Sequence, residues 1–111
     1  MLGKFPKKLG SAMSDVLAAQ DLIREAFPVA KYGSAKAAVW AAYRRLKFRT
    51  ERRARALWDG GARRVDAAEM DALRRAVLQR AREEHARTKT RIAALEMALG
   101  IHAQDESSAG D

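Results

Sequence analysis

The residues of this chain best equipped for chemistry are arginines. Within the stretch YRRLKFRTERRARALWDGG, Tyr43 to Gly61, the cations Arg44, Arg45, Lys47, Arg49, Arg52, Arg53 and Arg55 stand among Phe48, Leu57 and Trp58. A guanidinium is permanently charged and planar, and presents forked donors to phosphate, carboxylate or guanine. It does not supply a nucleophile or move a proton near neutral pH. Residue types that would do so are sparse. There is no cysteine, and His85 and His102 are the only histidines, so neither a closed zinc site nor a nucleophile–base pair is indicated. His85 falls on an apolar helical seam, where packing accounts for it. Glu83 and Glu84 are sequence neighbours that point apart on a helix, and Gly60-Gly61 lacks the wider pattern of a phosphate-binding loop. The chain reads as a binding protein rather than an enzyme, with no metal, cofactor or small-molecule ligand implied.

The charge is unevenly placed. The formal net charge is +8 over 111 residues, but residues 1–66 hold 15 basic and 6 acidic side chains, against 7 and 8 in residues 67–111. A GC-rich genome would explain a preference for arginine over lysine, but not the confinement of the excess to one part of the chain. A localised positive field attracts a polyanion. Nucleic acid is the first candidate, with an acidic protein or an anionic membrane behind it. The lack of cysteine is what a reducing compartment would give. MLGKFPKKLG has no apolar run long enough for a signal peptide, and no segment reaches membrane-spanning length. A cytoplasmic location is expected.

The elements that must position these arginines are helical. Alanine, arginine, leucine and glutamate dominate and β-branched residues are few, so the expectation is all-α. Residues 1–10 read as a flexible basic arm. A first helix is expected from Ser11 or Ser14 to Phe27, with Met13, Val16, Leu17, Ile23 and Phe27 on one face, ended by Pro28. PVAKYG is a linker to Ser34, an N-cap for a second helix over 35–46 with Val39, Trp40, Tyr43 and Leu46 inward. Phe48 could plug a tight turn before Thr50, which caps a third helix over 50–59. Gly60-Gly61 stops it. Asp66 and Glu69 have capping-box spacing, flanked by Val65 and Met70 at staple positions. From there the pattern stays helical to Leu99, with Gly100 as its cap.

That last helix is about 50 Å long at 1.5 Å per residue, too long to pack wholly on so small a domain. Met70, Leu73 and Val77 suit the domain. Ala81, His85, Thr88, Ile92, Leu95 and Leu99 then recur in steps of four and three, the spacing of a coiled-coil seam that would serve dimerisation. Folding back, breaking near Ala81, or pairing only through residues 92–99 are the rivals. The tail, residues 101–111, is small, acidic and expected to be disordered.

On the third helix, 100° steps place Ala54, Leu57 and Trp58 inward and Arg52, Arg55, Ala56 and Asp59 outward. Arg53 is on the flank, and Arg49 is in the preceding turn. A helix anchored on one side and presenting arginines on the other meets the requirement for reading a DNA major groove. Arg44, Arg45 and Lys47, at the end of the second helix, are placed to lie along phosphates. Lys4, Lys7 and Lys8 are placed to reach the backbone or the adjacent minor groove, unless the arm is merely solubilising. Trp40 and Trp58 read as core residues, and Arg24, Arg74, Arg75 and Arg80 as solvated.

Helix, short turn, helix, glycine, basic loop and a further capped helix, over residues 35–77, resemble the helix-turn-helix of bacterial and phage regulators of the λ-repressor-like type. Lys47 or Phe48 stands where such turns usually carry glycine. The resemblance implies base-reading roles for Arg49, Arg52, Arg53 and Arg55, and phosphate contacts from Arg63 and Arg64. The expected organisation is therefore a basic arm, a helix-turn-helix domain over 11–66, a dimerising long helix over 67–100 and an acidic tail. The expected function is that of a homodimeric, sequence-specific regulator of transcription, a repressor or an activator, on an inverted-repeat site. The alternatives are a small inhibitor or anti-activator gripping an acidic protein, and a non-specific nucleoid or RNA-binding protein.

Overall fold

The computed structural model describes residues 7–100, with side chains from Ser14 onward. Among the described residues all regular structure is helical: α1 (Lys7–Ala26), α2 (Val29–Tyr32), α3 (Ala35–Leu46), α4 (Glu51–Asp59) and α5 (Ala67–Leu99). Two compact units divide within α5. The first extends to Leu78, and the second begins at Gln79.

In the first unit α4 packs against both α1 and α3, and α2 packs against α3. Small side chains are prominent in the core between α1, α3 and α4. Ala19 and Ala26 of α1, Ala38 and Ala42 of α3, and Ala54 of α4 are all buried, and they surround Ile23, Phe27, Val39, Leu57, Trp58 and Leu73. Alanine lets helix axes approach closely, so a few large residues fill the remaining space. Met70 and Leu73 join this core from α5, with Val77 packed against it.

Two expected core residues lie outward. Leu17 is exposed, because Val16, Ala19, Ile23 and Ala26 define the buried face of α1 and Leu17 lies about 140° round from its centre. Trp40 is 47% exposed, while Ala38, Val39 and Ala42 take the inner face of α3. A sequence weighted by residue size selects the tryptophan; a core built on alanine excludes it. Two further expectations are corrected along the chain. Residues 7–10 belong to α1 rather than to a flexible arm, since Lys7, Lys8 and Leu9 are good helix formers and the proline precedes them. The expected linker after Pro28 contains the single turn α2, closed by Gly33 in a left-handed conformation. The remainder of the arm and the acidic tail lie outside the described residues.

The helix ends were more legible. Ser34 Oγ accepts from the Ala37 N–H at 3.1 Å, and Thr50 Oγ1 accepts from the Arg53 N–H at 3.1 Å, each satisfying a donor that the first turn leaves without an intrahelical partner. Between them the chain turns through Lys47, the one non-glycine residue with positive φ (55°) among the described residues. Its N–H donates to Tyr43 O, and Phe48 follows into the core. At the start of α5 the Asp66 N–H donates to Glu69 Oε1 at 3.0 Å, the return half of a capping box. α5 continues without a break through Ala81 to Leu99.

Gly60 closes α4 at φ 74°, where any other residue is strained, and a Cβ there would lie 3.0 Å from the Gln20 side-chain oxygen. That same amide donates through Nε2 to Trp58 O at 3.1 Å. Gly60→Ala should therefore cost about 1–2 kcal/mol for the left-handed backbone, plus the displacement of Gln20. Urea denaturation checks this. The penalty should shrink when Gln20→Ala is already present, and equal penalties in the two backgrounds would show that Gln20 is no obstacle.

Candidate nucleic-acid interface

α4 is held from three directions. Beneath it Ala54, Leu57 and Trp58 are buried. At its C-terminal end Gln20 and Arg24 of α1 both donate to Trp58 O, Arg24 through Nε at 3.0 Å. The Arg24 guanidinium also lies over the Trp58 ring, 5.2 Å from its centre. Arg24 is exposed, as expected, and is in addition a helix-end cap with a cation–π contact. Its partner lies 34 residues away in sequence, beyond the reach of a local pattern.

The third hold is on the N-terminal half. Arg53 Nε donates to Glu69 Oε2 at 2.8 Å and Nη2 to Glu69 Oε1 at 2.6 Å. Nη2 also donates to Arg64 O at 2.8 Å. This forked pair is sheltered, the side chains being 28% and 17% exposed. It ties α4, the 60–66 loop and the first turn of α5 together. The Arg53 hydrogen bonds hold the Glu69 carboxyl below its ordinary range, against the opposing pull of burial. The Asp66 N–H and the charges of Arg53 and Arg49 add to the depression. The Arg53 guanidinium is raised, mainly by the same hydrogen bonds. Of the four arginines expected to read bases, Arg53 alone has its donors committed inside the protein. Sequence spacing revealed Glu69 only as a capping residue; its second role depends on the fold.

The others remain outward. Arg49 and Arg52 are exposed, and Arg55 and Ala56 are half-buried on the flanks of the same helix. Arg49, Arg52 and Ala56, together with Lys47 and Phe48 of the turn and Ala72 of α5, line an open groove of about 790 Å³. Arg44 and Arg45 at the end of α3, and Arg63 and Arg64 of the loop, are exposed as well. Lys4 lies outside the described residues; Lys7 and Lys8 lie on α1 with their side chains outside them. α3 carries no acid, and its exposed Trp40 stacks at a tilt on Tyr43, ring centres 5.2 Å apart. A shallow depression there is bordered by Arg44 and Lys47. The basic surface therefore runs from the outer side of α3 across the turn onto α4.

No family model matches this chain, and no curated protein or solved structure does either. What the site can do therefore rests on its own chemistry: cations from two helices and a turn, on a backbone anchored from behind, facing solvent with Asp66 and Glu69 on the same groove. Among the described residues no group of His, Cys, Asp and Glu side chains is arranged to hold a metal ion. No helix among them is long and apolar enough to cross a membrane.

Glu69→Gln should cost about 1.5–3 kcal/mol, the range for hydrogen bonds to charged groups. Because the folded carboxyl is depressed, its contribution is present above the ordinary value of 4.5 and is lost as pH falls through the folded value. Denaturation of both proteins across pH checks the sign. The stability gap should be full near neutrality and close in acid; a gap that widened in acid would contradict the pairing.

Proposed function

We propose that the chain is a sequence-specific, double-stranded-DNA-binding regulator of transcription, working as a homodimer in the reducing environment of the cytoplasm. The α3–turn–α4 segment serves as the helix-turn-helix, with α4 in the major groove. One observation carries the reading. α4 buries Ala54, Leu57 and Trp58 while Arg52 is exposed and Arg55 half-buried on its other sides, with Arg49 exposed in the turn before it, so guanidinium groups are offered on a braced rod. Bracing matters because a bidentate contact to guanine O6 and N7 demands a defined backbone position. Arg53 then acts by holding α4 rather than by reading bases. Arg44, Arg45, Lys47, Arg63 and Arg64 supply contacts to phosphates, which set register and affinity without selecting sequence. Homodimerisation through α5 would double the half-site contacts and require an inverted repeat.

A second reading is favoured by Trp40. A half-exposed tryptophan within a basic surface is also the anchor expected of a protein interface, in which case an acidic protein would be the partner and the chain an inhibitor or anti-activator. Selection of binding sites from random duplex DNA separates the readings. A defined inverted repeat supports the regulator, equal affinity for all duplexes a nucleoid protein, and no binding the protein partner.

Arg52→Ala and Arg55→Ala should each reduce discrimination between the selected site and a mutated one by about 1–3 kcal/mol. Arg44→Ala and Arg64→Ala should weaken all sequences alike and flatten the salt dependence. Arg53→Ala should lower folding stability, a loss the other four do not share. Fluorescence anisotropy with denaturation checks reads all three effects, and identical behaviour of the five variants would reject α4 as the reading helix.

A further inference from the structure

In the second unit the expected seam is uncovered. Ile92 and Leu95 are 49% and 48% exposed and Leu99 is 72% exposed, and Ala81, His85 and Thr88 on the same stripe are exposed too. We infer that this face is covered by a second copy of the chain running parallel and in register. The inference rests on the homodimer reading above and adds the direction and the pairs that set it.

The heptad assigns the positions. His85, Ile92 and Leu99 take position a, and Ala81, Thr88 and Leu95 take position d. Arg82, Lys89 and Glu96 then fall at e, and Glu84, Arg91 and Ala98 at g. In a parallel two-stranded coil each g residue meets the e residue five positions later on the other helix. Glu84 would face the partner's Lys89, and Arg91 the partner's Glu96. Both combinations are opposite in sign, and symmetry makes each occur twice. In the antiparallel arrangement with the same overlap, e faces e and g faces g. Lys89 would then oppose the partner's Lys89 and Arg91 the partner's Arg91, and these two repulsive pairs offset the attraction of Arg82 for the partner's Glu96, whereas the parallel arrangement has no like-sign pair. The sign pattern thus selects one direction. A helix of another protein would have to reproduce the same alternation, whereas a second copy carries it by identity. Within one chain Glu84 is paired with Arg80 at 2.6 Å, and in the dimer its carboxylate would sit between two cations. Strong apolar knobs are confined to residues 92–99, so association should be weak and concentration-dependent.

The test uses the full chain without DNA, so that loss of DNA binding and loss of dimerisation are read separately. Because the protein has no cysteine, Ala81→Cys and Leu99→Cys each give a unique thiol. Mixed and oxidised, parallel chains should form only 81–81 and 99–99 disulfides. Antiparallel chains would give the 81–99 disulfide, since like ends then lie about 27 Å apart along the axis. Arg91→Glu and Glu96→Arg should each weaken the dimer roughly tenfold by sedimentation, and the double variant should recover it. Met97→Ser, on the opposite side of the helix, should leave it unchanged. A dominant 81–99 disulfide overturns the direction, and a monomer across micromolar to millimolar loading overturns the proposal. Ala81→Cys removes no large seam residue, so its result stands even if Leu99→Cys perturbs the seam.

Discussion

One carboxylate organises the basic face of this protein. Glu69 accepts from Arg53 on α4 and from the backbone of Asp66, and Arg53 in turn holds the Arg64 carbonyl. Without that acid, Arg53 would be one more cation in a crowded field, and the start of α5 would be joined to α4 by apolar contact alone. With it, one arginine becomes part of the frame and those around it face outward. Like charges crowded at one surface oppose folding by mutual repulsion; here one sheltered ion pair and a close-packed alanine interface stand against it.

The same economy shapes the core. Alanine lines much of the buried surface of α1, α3 and α4, and Phe27, Ile23, Val39, Leu57, Trp58 and Leu73 fill the centre. The consequence appears at Trp40, which has the size of a core residue and the position of a surface one. It lies against Tyr43 beside Arg44 and Lys47, joining an apolar surface to the cations. The turn between α3 and α4 follows a related logic. Lys47 takes the left-handed conformation that glycine would adopt freely, and the burial of Phe48 immediately after it helps to hold the turn.

The two units use charge differently. In the first, cations accumulate around α3, the turn and α4, and the acid beside them, Glu69, is spent on an internal pair. In the second, positive and negative residues are interspersed along α5, and Arg80 with Glu84 forms an i,i+4 pair on the helix itself. An accumulated field draws in a polyanion, whereas an interspersed one selects a partner with the complementary order.

Much of the fold was legible in local pattern, because local pattern is where its causes lie. Ser34, Thr50, Gly60, Asp66 with Glu69, and Gly100 mark helix ends through hydrogen bonds or dihedral angles spanning a few residues, and the bounds of α3, α4 and α5 followed from them. The 100° periodicity identified Ala54, Leu57 and Trp58 as the anchored side of α4. Residues far apart in the chain were decided only by the tertiary structure. Which arginine of the cluster is held by an acid depends on where the start of α5 passes α4. That the exposed Arg24 also caps α4 depends on α1 reaching the last turn of α4, and that Trp40 is not core depends on Ala38, Val39 and Ala42 taking the inner face of α3. Spacing along a chain encodes which side of a helix a residue occupies; what stands opposite that side is set by packing.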